Sequence, residues 1–262
     1  MSGALFDGRH ALVTGAGGGI GSAIAAALAR AGARVSLAGR RPEPLLAAAA
    51  AMPAGSAATI DGFDVTDAEA IARGLERARA AFGPVGILIN NAGEAPSAPF
   101  RKTDLAMWSH VLATDLTGAY LVTRMALPDI EGFAAAGRIV NVASTAGLTG
   151  YPYVSAYCAA KHGVVGLTRA LAVELALTGV TVNAVCPGFT ETPLIDKAVA
   201  TIVAKTGRTE AAARAELARA NPQGRLVTPK EVADCVAWLA SQGASSINGQ
   251  AIVVAGGEVL AG

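Results

Sequence analysis

Tyr157 and Lys161 stand four residues apart, and Ser144 lies upstream of both. On a helix, side chains at i and i+4 share one face, one turn from each other. That spacing holds a phenol beside an ammonium, whose positive charge favours the phenolate. A phenol so biased acts as a general acid or base near neutral pH. Ser144 follows the apolar run Arg138–Ala143, so its hydroxyl falls at a strand end and can point at the same spot. The chemistry this set supports is proton transfer to or from an oxygen that a hydroxyl orients.

A second group of residues supplies a partner for that proton transfer. Thr14-Gly15-Ala16-Gly17-Gly18-Gly19-Ile20-Gly21 follows one β-rich run and opens a helical one. Gly15 permits a tight turn, and Gly19 and Gly21 let backbone approach a pyrophosphate at a helix N-terminus. A glycine run alone is weak evidence, but strand–loop–helix context predicts a dinucleotide site. At the end of the second strand stand Gly39, Arg40 and Arg41. An acid there would accept the ribose hydroxyls of NAD(H); arginine suits a 2′-phosphate. NADP(H) is therefore the expected cofactor, with NAD(H) the alternative if both arginines are merely solvated. Dinucleotide plus phenol, ammonium and hydroxyl predicts hydride transfer between a nicotinamide and a carbonyl or alcohol.

Positioning these residues requires alternating strands and helices. Strands are expected over His10–Val13, Arg34–Ala38, Ala58–Phe63, Gly86–Asn90, Arg138–Ala143, Thr181–Cys186 and Ala251–Val254. Several are almost wholly apolar, as in a parallel sheet covered on both faces. Helices are expected at about 20–31, 43–52, 67–82, 104–127, 154–176, 193–220 (broken near Gly207) and 229–241. Asp67 and Thr228 read as N-caps, with Pro229 at the first helical position. The alternation predicts one α/β domain over 1–262, a doubly wound, seven-stranded parallel Rossmann sheet with helices on both faces.

Composition narrows the class. The apolar fraction of 52% rests largely on alanine, and the longest apolar run, Leu45 to Met52, is too short to span a bilayer. The first ten residues lack the apolar core of a signal peptide, so a cytoplasmic location is expected, with no membrane partner. A net charge of +1 gives no ground for nucleic acid. Cys158, Cys186 and Cys235 have no metal spacing, and His10, His110 and His162 form no ligand pair, so no metal is expected. Trp108, Tyr120 and Trp238 are expected in the core or at helix interfaces, and Tyr151 and Tyr153 at the substrate pocket or packed beside it.

Taken together, these motifs resemble the short-chain dehydrogenase/reductase family over nearly the whole chain. Thr14 to Gly21 resembles its glycine loop, and Asp64-Val65 its adenine-contacting pair. Asn90-Asn91-Ala92-Gly93 resembles the segment after its fourth strand. Ser144, Tyr157 and Lys161 match its catalytic set, and Pro187-Gly188 with Thr192 its nicotinamide-side motif. The resemblance implies that Ser144 orients the substrate oxygen, that Tyr157 gives or takes the proton, and that Lys161 tunes the phenol and grips the nicotinamide ribose. It implies a ketone or secondary-alcohol substrate, with likeness to bacterial 3-oxoacyl thioester reductases and 3-hydroxyacyl dehydrogenases. It also implies a lid over about 189–227 and a homo-oligomer, a tetramer, paired through the helices at 104–127 and 154–176. A non-catalytic dinucleotide-binding regulator is the reading from another class, and the intact catalytic set opposes it. One position departs: Asp115 stands where the family usually has an asparagine that holds a helix irregularity and a relay water. Asp115 either takes over that relay role or merely bonds nearby backbone. Lys197, Lys205, Arg208, Arg214, Arg219 and Arg225 either meet substrate phosphates or form a solvated face balanced by Asp196, Glu210 and Glu216; the second is favoured.

Overall fold

Alternate residues along each central strand go to opposite cores, and this period-2 division organises the molecule. The computed structural model describes residues 5–6 and 8–260; the extreme N-terminal residues of the signal-peptide reading and the final two residues of the expected domain lie outside them. Ala11 and Val13, Ile87 and Ile89, and Val140 and Val142 enter one core. Leu12, Leu88 and Ile139 enter the other. These residues belong to β1 (His10–Thr14), β4 (Ile87–Asn90) and β5 (Arg138–Val142), all buried along their length. With β2 (Arg34–Ala38), β3 (Ala57–Ile60), β6 (Thr181–Pro187) and β7 (Ala251–Val254) they form one sheet in the order β3-β2-β1-β4-β5-β6-β7. Every pairing is parallel.

The first core is closed by α1 (Gly19–Arg30), α2 (Pro42–Ala50) and α9 (Pro229–Ala240), through Ile24, Leu28, Leu45, Val232, Val236 and Leu239. The second is closed by α3 (Ala68–Phe82), α5 (Gly118–Glu131) and α6 (Ser155–Glu174), through Ile71, Leu75, Val122, Ile130 and Ala172. Each such fully buried aliphatic side chain contributes about 1.5–3 kcal/mol. The α/β, doubly wound architecture is the one expected. Strand order reverses between β1 and β4, which opens a crevice beyond the carboxyl ends of the strands, where ligands bind in open parallel sheets.

Local chemistry sets the element ends. Asp67 caps α3 by accepting from the N–H groups of Glu69 and Ala70. Thr228 and Glu231 form a reciprocal capping box at α9, with Pro229 at the first turn. Arg225 bonds Glu231 and holds its carboxyl down at about 2. The strand expected to reach Phe63 stops at Ile60, because Gly62 turns the chain at φ +66°. The helix expected at 104–127 is two: α4 (Leu105–Leu112), a π-helical turn at Ala113–Thr117, then α5 running through Pro128 to Glu131. The helix expected at 193–220 breaks at Gly207, φ +68°, into α7 (Pro193–Thr206) and α8 (Glu210–Ala218). Trp238 and Tyr120 are exposed, so of their two expected placements the core one does not hold. Among the described residues, no helix is long and apolar enough to cross a membrane and no metal-binding cluster occurs.

Candidate active site

The loop between β1 and α1 is shaped by glycines that admit no side chain. Gly15 has φ +65°, and a Cβ there would lie 2.9 Å from the Cα of Ala92. A Cβ on Gly21 would strike the carbonyl oxygen of Gly15. Asn91 clamps the turn, its Nδ2 donating to the carbonyls of Thr14 (3.0 Å) and Gly15 (3.2 Å). The Thr14 hydroxyl accepts from the N–H groups of Asn91 (2.9 Å) and Ala92 (3.0 Å). Across the crevice, Thr192 approaches so closely that a Cβ on Gly19 would lie 3.2 Å from its Cγ2. Ile20 packs into the first core and fixes the helix start. A helix N-terminus with backbone open to close approach suits a dinucleotide pyrophosphate, so these residues fit the group that the sequence predicts.

Farther along the crevice stand the residues at the end of β2. Arg40 and Arg41 are exposed, and among the described residues neither guanidinium forms an ion pair. Asp64 bonds the backbone N–H and hydroxyl of Thr66, which hold its carboxyl below the usual range, and the nearby Arg40 charge adds to this. Val65 packs on Gly118, where a Cβ would sit 2.7 Å from its Cγ2. Gly93 lies instead beside Asp115 and Lys161, and Pro187 and Gly188 stand at the end of β6.

Ser144, Tyr157 and Lys161 converge where β5 and β6 end. A buried polar ladder fixes the two helices that flank this point. Asn90 Nδ2 donates to Thr123 of α5 and to Asn141 of β5, both at 2.8 Å, and Asn141 donates to Thr168 of α6 at 2.9 Å. Lys161 is 4% exposed, donates to the carbonyl of Val142 at 3.1 Å, and sits 5.5 Å from the Tyr157 ring centroid. Ser144 caps the following turn, accepting from the N–H of Ala146 at 3.1 Å. Burial pushes the Tyr157 phenol above its ordinary value; Lys161 and the Ser144 hydroxyl pull it down, and Asp115 pushes it further up. The i, i+4 spacing implies the lysine's downward pull, yet burial outweighs it. Burial lowers Lys161, but Asp115 and Tyr157 raise it more, and the net direction is up.

Asp115 is the member whose surroundings the sequence left open. It lies in the π-helical turn, 2% exposed, with Oδ1 3.3 Å from Lys161 Nζ. Both its oxygens accept from the backbone N–H of Glu94 at 3.2 Å. The backbone-bonding reading therefore describes Asp115, which in addition pairs with Lys161. A π-turn widens the helix and redirects side chains; this one carries Asp115 against the loop after β4. Gly93 makes room, since a Cβ there would lie 2.5 Å from Asp115 Oδ1. Burial raises the Asp115 carboxyl, opposed by Lys161 and the Glu94 N–H.

The rim is built from loops. The Tyr151 phenol bonds Glu258 and pairs with Thr145 Oγ1 at 2.9 Å, and its ring meets Phe189 edge-on at 5.9 Å. Tyr153 is 64% exposed and holds φ +69°. α7 and α8 form a small cluster of their own, Ile195, Val199, Ala213 and Leu226 with Phe189 packed on it. Arg214 pairs with Asp196 and Glu210, and Glu216 pairs with Arg208 and Arg219. Arg208, Arg214 and Arg219 are thus balanced by the acids that the solvated-face reading expects, whereas Arg225 pairs with Glu231. His162 is exposed and bonds the Cys158 carbonyl at 2.9 Å. Sequence reading did not single out Glu258, which the fold brings to Tyr151 at this rim.

The family model described as short chain dehydrogenase matches residues 9–203. A cis-4-hydroxycyclohexanecarboxylate dehydrogenase of Sinomonas cyclohexanicum is 41% identical over 97% of this chain and 98% of its own length. A putative ketoacyl reductase of Streptomyces coelicolor is 42% identical over 96% of this chain and 97% of its own. The crystal structure of the F189W variant of actinorhodin polyketide ketoreductase with NADPH superposes with a TM-score of 0.89, at 37% identity, covering 98% of this chain and 99% of that one.

Proposed function

The chain belongs to the short-chain dehydrogenase family and is an oxidoreductase acting on hydroxyl and keto groups; we propose that it is an NADP(H)-dependent ketoreductase whose substrate class is a 3-oxoacyl thioester. The observation that carries the carbonyl-reduction part of this reading is the buried Lys161 beside Tyr157 on α6, against the end of β5.

When bound, the nicotinamide supplies or accepts the hydride. The protein's own groups do the rest. Thr14, Gly15, Gly19, Ile20 and Gly21 hold the pyrophosphate; Asp64 and Val65 flank the adenine; Asn91, Ala92 and Gly93 support the adjoining ribose. Pro187, Gly188 and Thr192 border the nicotinamide, whose ribose Tyr157 and Lys161 grip. Ser144 donates a hydrogen bond to the substrate oxygen. Tyr157 gives that oxygen its proton in reduction and removes it in oxidation. Asp115 positions Lys161. The α7–α8 hairpin over 189–227 serves as the substrate lid. Oxidation of a secondary alcohol with NAD(H) is the second reading. It draws on the dehydrogenase relative and on the proximity of Arg40 to Asp64, which lessens the free positive charge there.

A paired screen of NADPH and NADH against oxoacyl thioesters, cyclic ketones and aryl ketones tests the proposal. NADPH with an oxoacyl thioester is expected to give the highest kcat/KM. Hydrogen bonds to charged groups are worth roughly 1.5–3 kcal/mol, so Arg40→Ala with Arg41→Ala should weaken NADPH by about one to two decades. NADH binding should change little. Equal losses for the two cofactors would refute the arginine assignment.

The reading includes a cytoplasmic homotetramer. Val173 on α6 is 80% exposed, Leu177 just beyond it 103%, and Leu105 on α4 78%. Apolar surface of this kind on neighbouring helices usually finds a partner. Light scattering at micromolar concentration is expected to give four times the 26.1 kDa chain mass; a single-chain mass would overturn the assembly.

A further inference from the structure

After β7 the chain turns back over the strand ends. Gly256 and Gly257 hold φ of +59° and +96°, and the N–H of Glu258 donates to the carbonyl of Ala255 at 3.1 Å. This turn brings the Glu258 carboxylate beside Gly188, at the end of β6. A Cβ on Gly188 would collide with Oε2. The other oxygen, Oε1, accepts from the Tyr151 phenol, which also pairs with Thr145 Oγ1. Thr145 is the immediate neighbour of Ser144, and Phe189 stacks edge-on against Tyr151. Three connections, the β5–α6 loop and the segments after β6 and after β7, therefore meet at the Glu258 carboxylate, beside the turn that carries Ser144.

The two oxygens of Glu258 are not equivalent. Oε1 has the phenol. Oε2 is buried and has no hydrogen-bond partner among the described residues. Burial and the bond to Glu258 push Tyr151 well above an ordinary phenol, so it stays a donor across the working range of pH. Tyr151 thus fixes the carboxylate without consuming its second oxygen. A buried carboxylate oxygen left without a donor is costly, and a ligand that brings one recovers that cost. A ligand that brings a second negative charge to the same place meets repulsion in a partly desolvated site.

We infer that Glu258 is a specificity-determining residue of the active site, whose free Oε2 receives a hydroxyl or amide N–H on the substrate arm and whose charge turns away substrates carrying a carboxylate there. The inference rests on the carbonyl-reduction reading for its chemistry, but binding alone can test it. A purely structural clamp on Tyr151 is the competing role, and it would not distinguish ligands by charge.

The test uses two ketones of one skeleton, 4-hydroxycyclohexanone and 4-oxocyclohexanecarboxylate. For wild type, Glu258→Gln and Glu258→Leu, kcat/KM is measured with NADPH and Kd is measured calorimetrically on the NADP⁺-loaded protein. Melting temperatures identify any variant that fails to fold. Wild type should favour the hydroxy ketone by about tenfold or more, as a hydrogen bond to a charged acceptor implies. Glu258→Gln keeps an acceptor and loses the charge, so the carboxylate ketone should gain while the hydroxy ketone changes little. Glu258→Leu should also lose the hydroxyl preference. If the ratio of the two ketones is the same in wild type and Glu258→Gln, by turnover and by Kd, the inference is overturned. A wild-type preference for the carboxylate, the oxidised form of the compound for which one relative is named, would overturn it equally. If neither ketone is turned over yet the Kd ratio moves with the charge, the carbonyl-reduction reading fails and the Glu258 assignment stands.

Discussion

Tyr157→Phe is expected to lower kcat by roughly 10²–10⁴-fold, the range that positioned proton transfer supplies, while leaving cofactor affinity nearly unchanged. The ring remains, so the packing of Tyr157 with Val111, Ala156 and Ala160 survives. Only the hydroxyl that carries the proton is lost. Lys161→Ala is the instructive contrast. Its ammonium sits 3.1 Å from the Val142 carbonyl and 3.3 Å from Asp115, so its removal leaves a buried carboxylate without its cation. Both turnover and cofactor binding should fall. Stopped-flow single turnovers with NADPH, together with fluorescence titration of the cofactor, separate the two effects. If Tyr157→Phe retains wild-type kcat, another group supplies the proton and the proposed assignment is wrong.

How much of this site a sequence can disclose depends on how local each contact is. Tyr157 and Lys161 are one turn apart, so their joint placement follows from helical period alone. The glycine loop is equally local: Gly15 and Gly21 meet each other within a few residues of chain. The sheet was legible because β1, β4, β5 and β6 are buried on both faces and built around apolar runs. What escaped depends on distant segments meeting. The resemblance marked Asp115 as the seat of a helix irregularity, but the partners that the π-turn at Ala113–Thr117 gives it, Glu94 and Lys161, appear only in the folded chain. Glu258 lies 107 residues from Tyr151 in the chain, and two left-handed glycines are needed to bring them together. The net rise of the Tyr157 pKa likewise depends on burial, a tertiary property that spacing does not carry.

Asp115 is where these levels meet, and its substitution separates charge from shape. Asp115→Asn keeps the size of the side chain and one oxygen to accept from the Glu94 N–H, so most activity should remain. The charge is what changes. With the carboxylate present, Tyr157 is raised by burial and further raised by Asp115, against the downward pull of Lys161. Removing the negative charge deletes one upward contribution, so the phenol should titrate at lower pH. Reduction needs the protonated phenol, and its alkaline decline should therefore begin earlier. Oxidation needs the phenolate, and its rise with pH should move in the same direction. Asp115→Ala removes the shape as well. It leaves the Lys161 ammonium with only the Val142 carbonyl among these contacts and the Glu94 N–H without its acceptor. Unpairing a buried ion pair costs about 3–5 kcal/mol of stability, readable by denaturant titration. A misplacement of Lys161 by about 1 Å would cost kcat/KM on the order of 10²-fold. Turnover against pH in both directions, for both variants, distinguishes the roles. An alanine variant with wild-type activity and an unmoved profile would remove Asp115 from the chemistry and leave Ser144, Tyr157 and Lys161 to carry it.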